Sequence, residues 1–154
     1  SAMLLVAVVL PLALLAALSM SIRIGQYGWT PERIWGVIAV GVAIAYGLAA
    51  WWALWRGRRG FDAPLRPLQV RLALGLSGLA LFLALPILDF GAISARSQLD
   101  RLAAGKVDPY KFDWAAMAFD FGPKGRERLT AIARSGTPAT RKLAAAALAA
   151  DQRY

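Results

Sequence analysis

Cysteine and histidine are both absent from the chain, and acidic residues are half as frequent as basic ones, 9 against 18. The lack of cysteine excludes disulfides, thiol nucleophiles and thiolate metal sites. The lack of histidine removes the commonest general base and the commonest metal ligand. The sequence also contains no phosphate-cradling glycine loop and no nucleophile with a base beside it. We therefore expect no metal and no cofactor, and a non-enzymatic protein is favoured over an enzyme.

Charged residues are scarce as a whole. They make up 18% of the chain, against 58% for hydrophobic residues, and the mean hydropathy is +0.50. Such values are typical of membrane proteins. In that class a net charge of +9 is best explained by topology signals and by contact with anionic lipid headgroups. We expect membrane lipids as partners and no nucleic acid.

One long apolar stretch organises the chain. Positions 34–54 hold no charged residue, and at about 1.5 Å per residue they extend over roughly 30 Å, the thickness of the hydrocarbon core of a bilayer. Thr30 and Pro31, just before it, suit the start of a helix. Aromatic and arginine side chains flank the stretch and are predicted to lie at the membrane interface. These are Tyr27, Trp29, Trp35, Trp51, Trp52, Trp55, Arg56, Arg58 and Arg59.

The predicted fold is all-α. Three membrane-spanning helices are expected at about 3–22, 34–55 and 68–90, within a membrane domain of residues 1–92, and residues 93–154 are expected to form a small helical domain. The alternative, helices buried in a large soluble protein, leaves too little chain to cover three such stretches. A signal peptide is the alternative for the first stretch, but the basic region that precedes the apolar core of a signal is missing.

Prolines and small residues refine this prediction. Pro64 and Pro67 are expected to keep the basic loop at 56–71 from folding as one helix. Small residues recur in the second and third spans and are predicted to let other helices approach closely. They are Ala39, Ala43, Gly47, Gly75 and Gly78. The partner helices would come from an upstream region of the same protein or from another subunit.

The C-terminal domain contains a dense apolar cluster at 112–121 and two short helices, predicted at 123–134 and 138–150. Two antiparallel helices joined by a tight turn are similar to one unit of a HEAT-type repeat, and one unit cannot bury its own apolar face. The pair is therefore expected to lean on the 112–121 cluster, on the membrane surface, or on sequence outside this chain.

Acidic residues are the remaining candidates for a site. Asp89 follows the third span, and a carboxylate near the end of a span is costly to bury and is a functional candidate by default. We favour a structural ion pair at headgroup level, with one of three arginines as the partner: Arg23, Arg33 or Arg96. Three further aspartates are expected to be helix caps or members of surface ion pairs. They are Asp108, Asp113 and Asp120.

The arginines are densest beside the membrane in the 56–71 loop, which places this loop in the cytoplasm. The C-terminal domain would then be extracytoplasmic, in the periplasm of a bacterium, because a folded segment is translocated despite its charges.

Two runs of residues resemble a known family. The first is Arg23-Ile24-x-Gln26-Tyr27-Gly28-Trp29-Thr30-Pro31-Glu32-Arg33, and the second is Ile93-Ser94-x-x-Ser97-Gln98 with Leu102, Gly105-Lys106, Asp108, Phe112-Asp113 and Phe119. Together with the span between them they resemble the C-terminal half of bacterial multi-pass proteins catalogued as domain of unknown function 4153. The resemblance covers about residues 20–125. It implies a bacterial inner-membrane location and more helices upstream, and it brings no biochemical activity.

Two functions remain. The favoured hypothesis is a non-enzymatic anchor or assembly component of the bacterial cell envelope. The alternative is a fragment of a multi-pass transporter or envelope-modifying enzyme whose active residues lie upstream. A transport or catalytic path needs polar residues at mid-depth in the spans, and apart from Ser77 the three spans offer almost none.

Overall fold

The computed structural model describes residues 2–57, 62–85 and 88–153. Every regular element in these ranges is a helix, which confirms the predicted all-α fold. The helices are α1 (Ala2–Tyr27), α2 (Pro31–Gly57), α3 (Asp62–Ala84), α4 (Phe90–Ala103), α5 (Trp114–Phe119), α6 (Gly122–Ser135) and α7 (Pro138–Ala149). Arg58 and Arg59, predicted to lie at the membrane interface, are outside the described residues.

The chain forms two compact units. The first consists of Ser1–Arg23 and Trp35–Leu88, and the second of Ile24–Ile34 and Asp89–Tyr154. The connection between α1 and α2 therefore belongs to the second unit, together with the C-terminal helices.

The first unit contains three helices that are long and apolar enough to cross a membrane. Their apolar stretches are Ala7–Tyr27, Pro31–Arg56 and Pro67–Ala84, and within an apolar window of 18 residues in each stretch 11%, 17% and 0% of the residues are buried. Apolar side chains left this exposed need a non-aqueous solvent, because each one kept in water forfeits the free energy of burial. Lipid tails provide that solvent.

The third of these helices differs from the sequence prediction at its start. α3 begins at Asp62 and contains Pro67, so this helix starts earlier than the expected start of the third span at about residue 68. The prediction for the 56–71 loop includes residues 58–61, which lie outside the described residues, and it stays a prediction. A proline in the first turn removes an N–H that has no intrahelical partner in any case. That reason covers Pro64. The helix also continues through Pro67, at the loss of one further backbone hydrogen bond.

α1 and α2 run antiparallel and in close contact within the first unit. Leu10 lies against Gly47, where an added Cβ would come within 3.0 Å of the Leu10 Cα atom. Three residues earlier on α1, the Ala7 carbonyl accepts a hydrogen bond from Nε1 of Trp51 at 2.9 Å. The residue numbers rise on one helix as they fall on the other. Gly47 is therefore the small residue that permits this backbone approach.

The other small residues of the predicted packing faces are less enclosed. Ala43 is half-buried and Ala39 is exposed. A Cβ on Gly75 or Gly78 would meet nothing within 4 Å. For these positions a partner helix stays a prediction.

The second unit has a core of its own, built on the aromatic cluster. Phe112 and Trp114 are buried with their ring centroids 4.7 Å apart, and Met117 of α5 is fully enclosed. α6 and α7 pack on α5 and on each other, and α6 inserts Leu129, which is also fully buried. Of the three supports predicted for the α6–α7 pair, the structure shows the 112–121 cluster.

Local chemistry sets the helix ends in this unit. Asp89, Asp113 and Thr137 each precede a helix and accept a hydrogen bond from a backbone N–H of its first turn. These caps satisfy donors that would otherwise lack a partner. In the first turn of α6, Lys124 contacts Glu127 at 2.7 Å. The hydrogen bond and the opposite charge raise the pKa of Lys124 and lower the pKa of Glu127.

Replacing Gly47 with leucine should weaken the α1–α2 contact, because the added side chain has no space beside Leu10. Overpacking of this kind costs about 1–3 kcal/mol, so the unfolding temperature of the purified protein in detergent should fall. Ala39→Leu is the matched control, since it adds a similar side chain at an exposed position of the same helix. Circular dichroism during heating measures both. Equal unfolding temperatures would contradict this packing.

Candidate functional site

A tight turn joins α1 to α2 and forms the first part of the site. α1 ends where Gly28 adopts a φ of 75°, a left-handed conformation that suits glycine. The Gly28 N–H still donates to the Ile24 carbonyl at 2.8 Å. The last carbonyls of a helix have no partner within the helix and must find one elsewhere. Here the carbonyls that need a partner lie in the turn between two apolar helices.

Side chains of α4 meet this requirement. Nε2 of Gln98 donates to the carbonyls of Tyr27 and Trp29, both at 2.9 Å. Nη2 of Arg101 donates to the Gln26 carbonyl at 2.5 Å. In the other direction, the Trp29 N–H donates to Oγ of a serine on the same helix face, Ser97, at 3.1 Å. The turn is thus bound through its backbone, by three side chains on one face of α4.

Arg33, at the start of α2, also donates hydrogen bonds to carbonyls of the turn. Its Nη1 donates to the carbonyls of Tyr27 and Gly28 at 3.2 and 2.7 Å. Its guanidinium also lies over the Tyr27 ring, 5.6 Å from the ring centroid, within the range of a cation–π interaction. The Tyr27 carbonyl therefore receives two donors, one from α2 and one from α4, which fills both of its lone pairs.

Three of the four residues of the predicted ion pair, Asp89, Arg33 and Arg96, have other contacts. Oδ1 of Asp89 accepts from the Ala92 N–H at 2.8 Å, as the cap of α4. Arg96 lies 4.0 Å from Asp100, one turn away on α4. Arg23 is exposed and belongs to the first unit. Among the described salt bridges none joins Asp89 to Arg33 or Arg96, so a pair with Asp89 stays a prediction.

The predicted interface residues that the structure describes are exposed. The exposed fractions are 58% for Tyr27, 37% for Trp29, 52% for Trp35, 47% for Trp51, 42% for Trp52 and 85% for Trp55. Arg56, also exposed, lies over the Trp52 ring at 5.4 Å. Exposed indole rings of this kind suit headgroup depth, and that location stays a prediction.

A polar cavity of about 390 Å³ lies in the second unit, beside the turn. Four cationic side chains line it: Arg33, Arg101, Lys111 and Arg153. Three carboxylates line it as well: Glu32, Asp113 and Asp120. Arg153 forms an ion pair with Asp120 and a second one with Asp113 at 3.5 Å.

Two of the three aspartates predicted to be caps or ion-pair members, Asp113 and Asp120, have these roles, and Asp108 instead stabilises a turn. Asp113 accepts from the Ala116 N–H at 2.8 Å, in addition to its pairing with Arg153. Asp108 accepts from the Tyr110 N–H at 2.8 Å, within a turn. In the part of the chain that the structure describes, no three or more acidic side chains come together in a way that could hold a metal ion.

The contact between the turn and α4 was not predicted from the sequence. The hydrogen-bonded residues are 68 to 75 positions apart, and no periodicity links them. The sequence did hold one signal, because both runs that carry the family resemblance take part in this contact. The resemblance named the residues but not their proximity.

The fold and the turn define the class: an all-helical membrane protein with three helices long and apolar enough to cross a bilayer and a compact helical unit built around the turn between two of them. The family model described as Domain of unknown function (DUF4153) matches residues 1–120. The chain belongs to this family. No curated protein and no solved structure matches the chain. The match includes the turn, α4 and α5, and it ends before α6.

Replacing Gly28 with alanine should destabilise the second unit. The new Cβ would lie 2.7 Å from Cδ of Arg101 and 2.9 Å from Nε2 of Gln98, and the positive φ adds a cost of about 1–2 kcal/mol for an L-residue. Gly25→Ala is the matched control: it lies one turn earlier in α1, with nothing within 4 Å of its Cβ, and should be neutral or stabilising by about 0.5–1 kcal/mol.

Protection of the α4 backbone amides against hydrogen exchange reports on this contact. The exchange rate should rise in the Gly28 variant and stay unchanged in the Gly25 variant. Unchanged protection in both would mean that α4 does not depend on the turn.

Proposed function

We propose that this protein is a non-enzymatic anchor or assembly component of the bacterial inner membrane. Its apolar helices hold it in the bilayer, and its second unit is an extracytoplasmic helical domain that serves assembly with other envelope proteins. The observation that carries the proposal is that the turn between two apolar helices is part of the fold of the second unit.

This arrangement favours an anchored domain over a tethered one. The chain passes between the apolar helices and the second unit at residues 23/24, 34/35 and 88/89. The turn is also bound to α4 through four hydrogen bonds that join Gln26, Tyr27 and Trp29 to Ser97, Gln98 and Arg101. A domain joined to a membrane helix by one linker moves independently, as loosely contacting domains do by default. The three chain connections, two of which bracket the turn, support an anchored domain.

The second candidate function is a fragment of a transporter or of an envelope-modifying enzyme. The polar cavity of the second unit favours it, because charged groups that line a cavity are typical of binding and catalytic sites. The composition of the spans is against it, since α1 to α3 provide almost no polar side chain at mid-depth. We therefore rank this function second.

Reporter proteins fused after Phe61 and after Tyr154 test the proposed topology. We expect green fluorescent protein to be fluorescent at Phe61 and alkaline phosphatase to be active at Tyr154, because three spans place these positions on opposite sides of the membrane.

Extraction at alkaline pH should leave the protein in the membrane, and detergent should release it. Two reporters on the same side would contradict three spans, and release at alkaline pH would contradict an integral anchor.

The assembly role predicts a neighbour beside α3. Gly75 is exposed, with open space around it, and a small residue on an apolar helix suits close approach by another helix. A photoreactive amino acid at this position should give a discrete adduct to another protein in cells. Leu81, 67% exposed on the same helix, is the control and should give lipid adducts alone. No discrete protein adduct at either position would count against assembly through α3.

A further inference from the structure

We propose that the polar cavity of the second unit binds the phosphate group of an anionic ligand. The ligand is either a phospholipid headgroup or a soluble phosphate ester of similar size. The inference does not require the anchor role proposed above, because it rests on the side chains of the cavity alone.

The first argument is the number of hydrogen-bond donors that face this cavity. An arginine has five N–H donors in a planar fork that matches a phosphate. Arg33 uses Nη1 on two carbonyls of the turn, and Arg101 uses Nη2 on a third. Nε of Arg101 is buried and has no hydrogen-bond partner among the described residues. This nitrogen is closed off from the cavity, so an anion would be bound by the other guanidinium nitrogens. Nη2 of Arg33 and Nη1 of Arg101 make no hydrogen bond among the described residues, and each carries two N–H donors.

The second argument is the balance of charge. Two of the three carboxylates that line the cavity, Asp113 and Asp120, are paired with Arg153. The third, Glu32, is exposed and lies in the first turn of α2, where it suits the positive end of the helix dipole. Four cationic side chains against three carboxylates give the lining of the cavity a net formal charge of +1. The cavity has an excess of positive charge, which favours an anion over a cation or a neutral ligand.

The third argument concerns the identity of the anion. Carbonyls of the turn already orient both guanidinium groups, so less rotamer entropy is lost when a second acceptor binds. Arginine forks and a lysine ammonium are the groups that proteins use for phosphate. The volume of about 390 Å³ is within the range of small-molecule sites. The turn lies in sequence between two apolar helices, so headgroup phosphates are one source, and the surrounding solution is the other.

Lys111 provides the cleanest test, because it lines the cavity and is exposed, so its replacement should not disturb the fold. In the full chain purified in neutral detergent, Lys111→Glu should weaken ligand binding by about threefold to tenfold. Lys142→Glu is the matched control: it makes the same change in net charge on α7, at an exposed position outside the cavity. It should leave binding unchanged.

Two probes distinguish the sources of phosphate. Inorganic phosphate is titrated by calorimetry, and phosphatidylglycerol is added to the micelles and its adducts are counted by native mass spectrometry, with phosphatidylcholine for comparison. Binding of phosphatidylglycerol alone, weakened by Lys111→Glu, supports a headgroup site. Binding of inorganic phosphate, weakened in the same way, supports a site for soluble phosphate esters. Binding of neither probe overturns the proposal, as does an equal loss in the Lys142 variant, which would indicate general charge attraction.

Arg101→Lys gives a second readout. It keeps the positive charge but loses the planar fork, so binding of the probe that the unaltered protein takes should fall while the charge balance is unchanged. The unfolding temperature is measured in parallel, because this arginine also donates to the Gln26 carbonyl. Undiminished binding in a variant that remains folded would show that the fork has no part in the site.

Discussion

The structure of this protein depends on how the backbone carbonyls of one short turn find hydrogen-bond donors. A helix that ends beside a bilayer leaves its last carbonyls without intrahelical partners, and lipid tails cannot donate to them. The carbonyls of Gln26, Tyr27 and Trp29 instead accept from Gln98 and Arg101 of α4. A local requirement at the end of α1 is thus met by a helix about 70 positions further along the chain. This is why the turn belongs to the second unit and not to the first.

The same requirement explains the position and the polarity of α4. The cap at Asp89 and the left-handed Gly105 fix the two ends of this helix. Between them its buried Ala95 faces the core, while Ser97 and Gln98 face the turn. α4 therefore contributes to two structures at once, the apolar core of the helical unit and the hydrogen-bonded turn. Because one rigid element serves both, the core on the 112–121 cluster and the connection of two apolar helices are parts of one fold.

The sequence was sufficient to predict the features that depend on neighbouring residues or on the length of an apolar run. Uncharged runs indicated three spans, because the thickness of a bilayer sets the length of an apolar helix. The aromatic cluster at 112–121 indicated the core of the second unit, because a high local density of apolar side chains indicates a core. The start of α3 at Asp62 was not visible in the sequence, because the cost of a proline depends on its position in a helix and neither Pro64 nor Pro67 marks the first residue of α3. Asp89 precedes a helix and caps it, but the same position also suited an ion pair. The contact between the turn and α4 was beyond prediction, because backbone carbonyls carry no sequence signature.

Arginine side chains that donate hydrogen bonds to the carbonyls of the turn also bring positive charge to this region. A glutamine that donates to a carbonyl, as Gln98 does, leaves no charge behind. Arg33 and Arg101 also donate to carbonyls, but a carbonyl dipole solvates a guanidinium without neutralising it, and arginine does not lose its proton in proteins. Both charges therefore persist beside one cavity. Water and Glu32 offset part of this charge, and a bound anion would offset the rest. The phosphate ligand proposed above would account for the use of arginine instead of glutamine at these two positions, because hydrogen bonding to the turn alone does not require a charge.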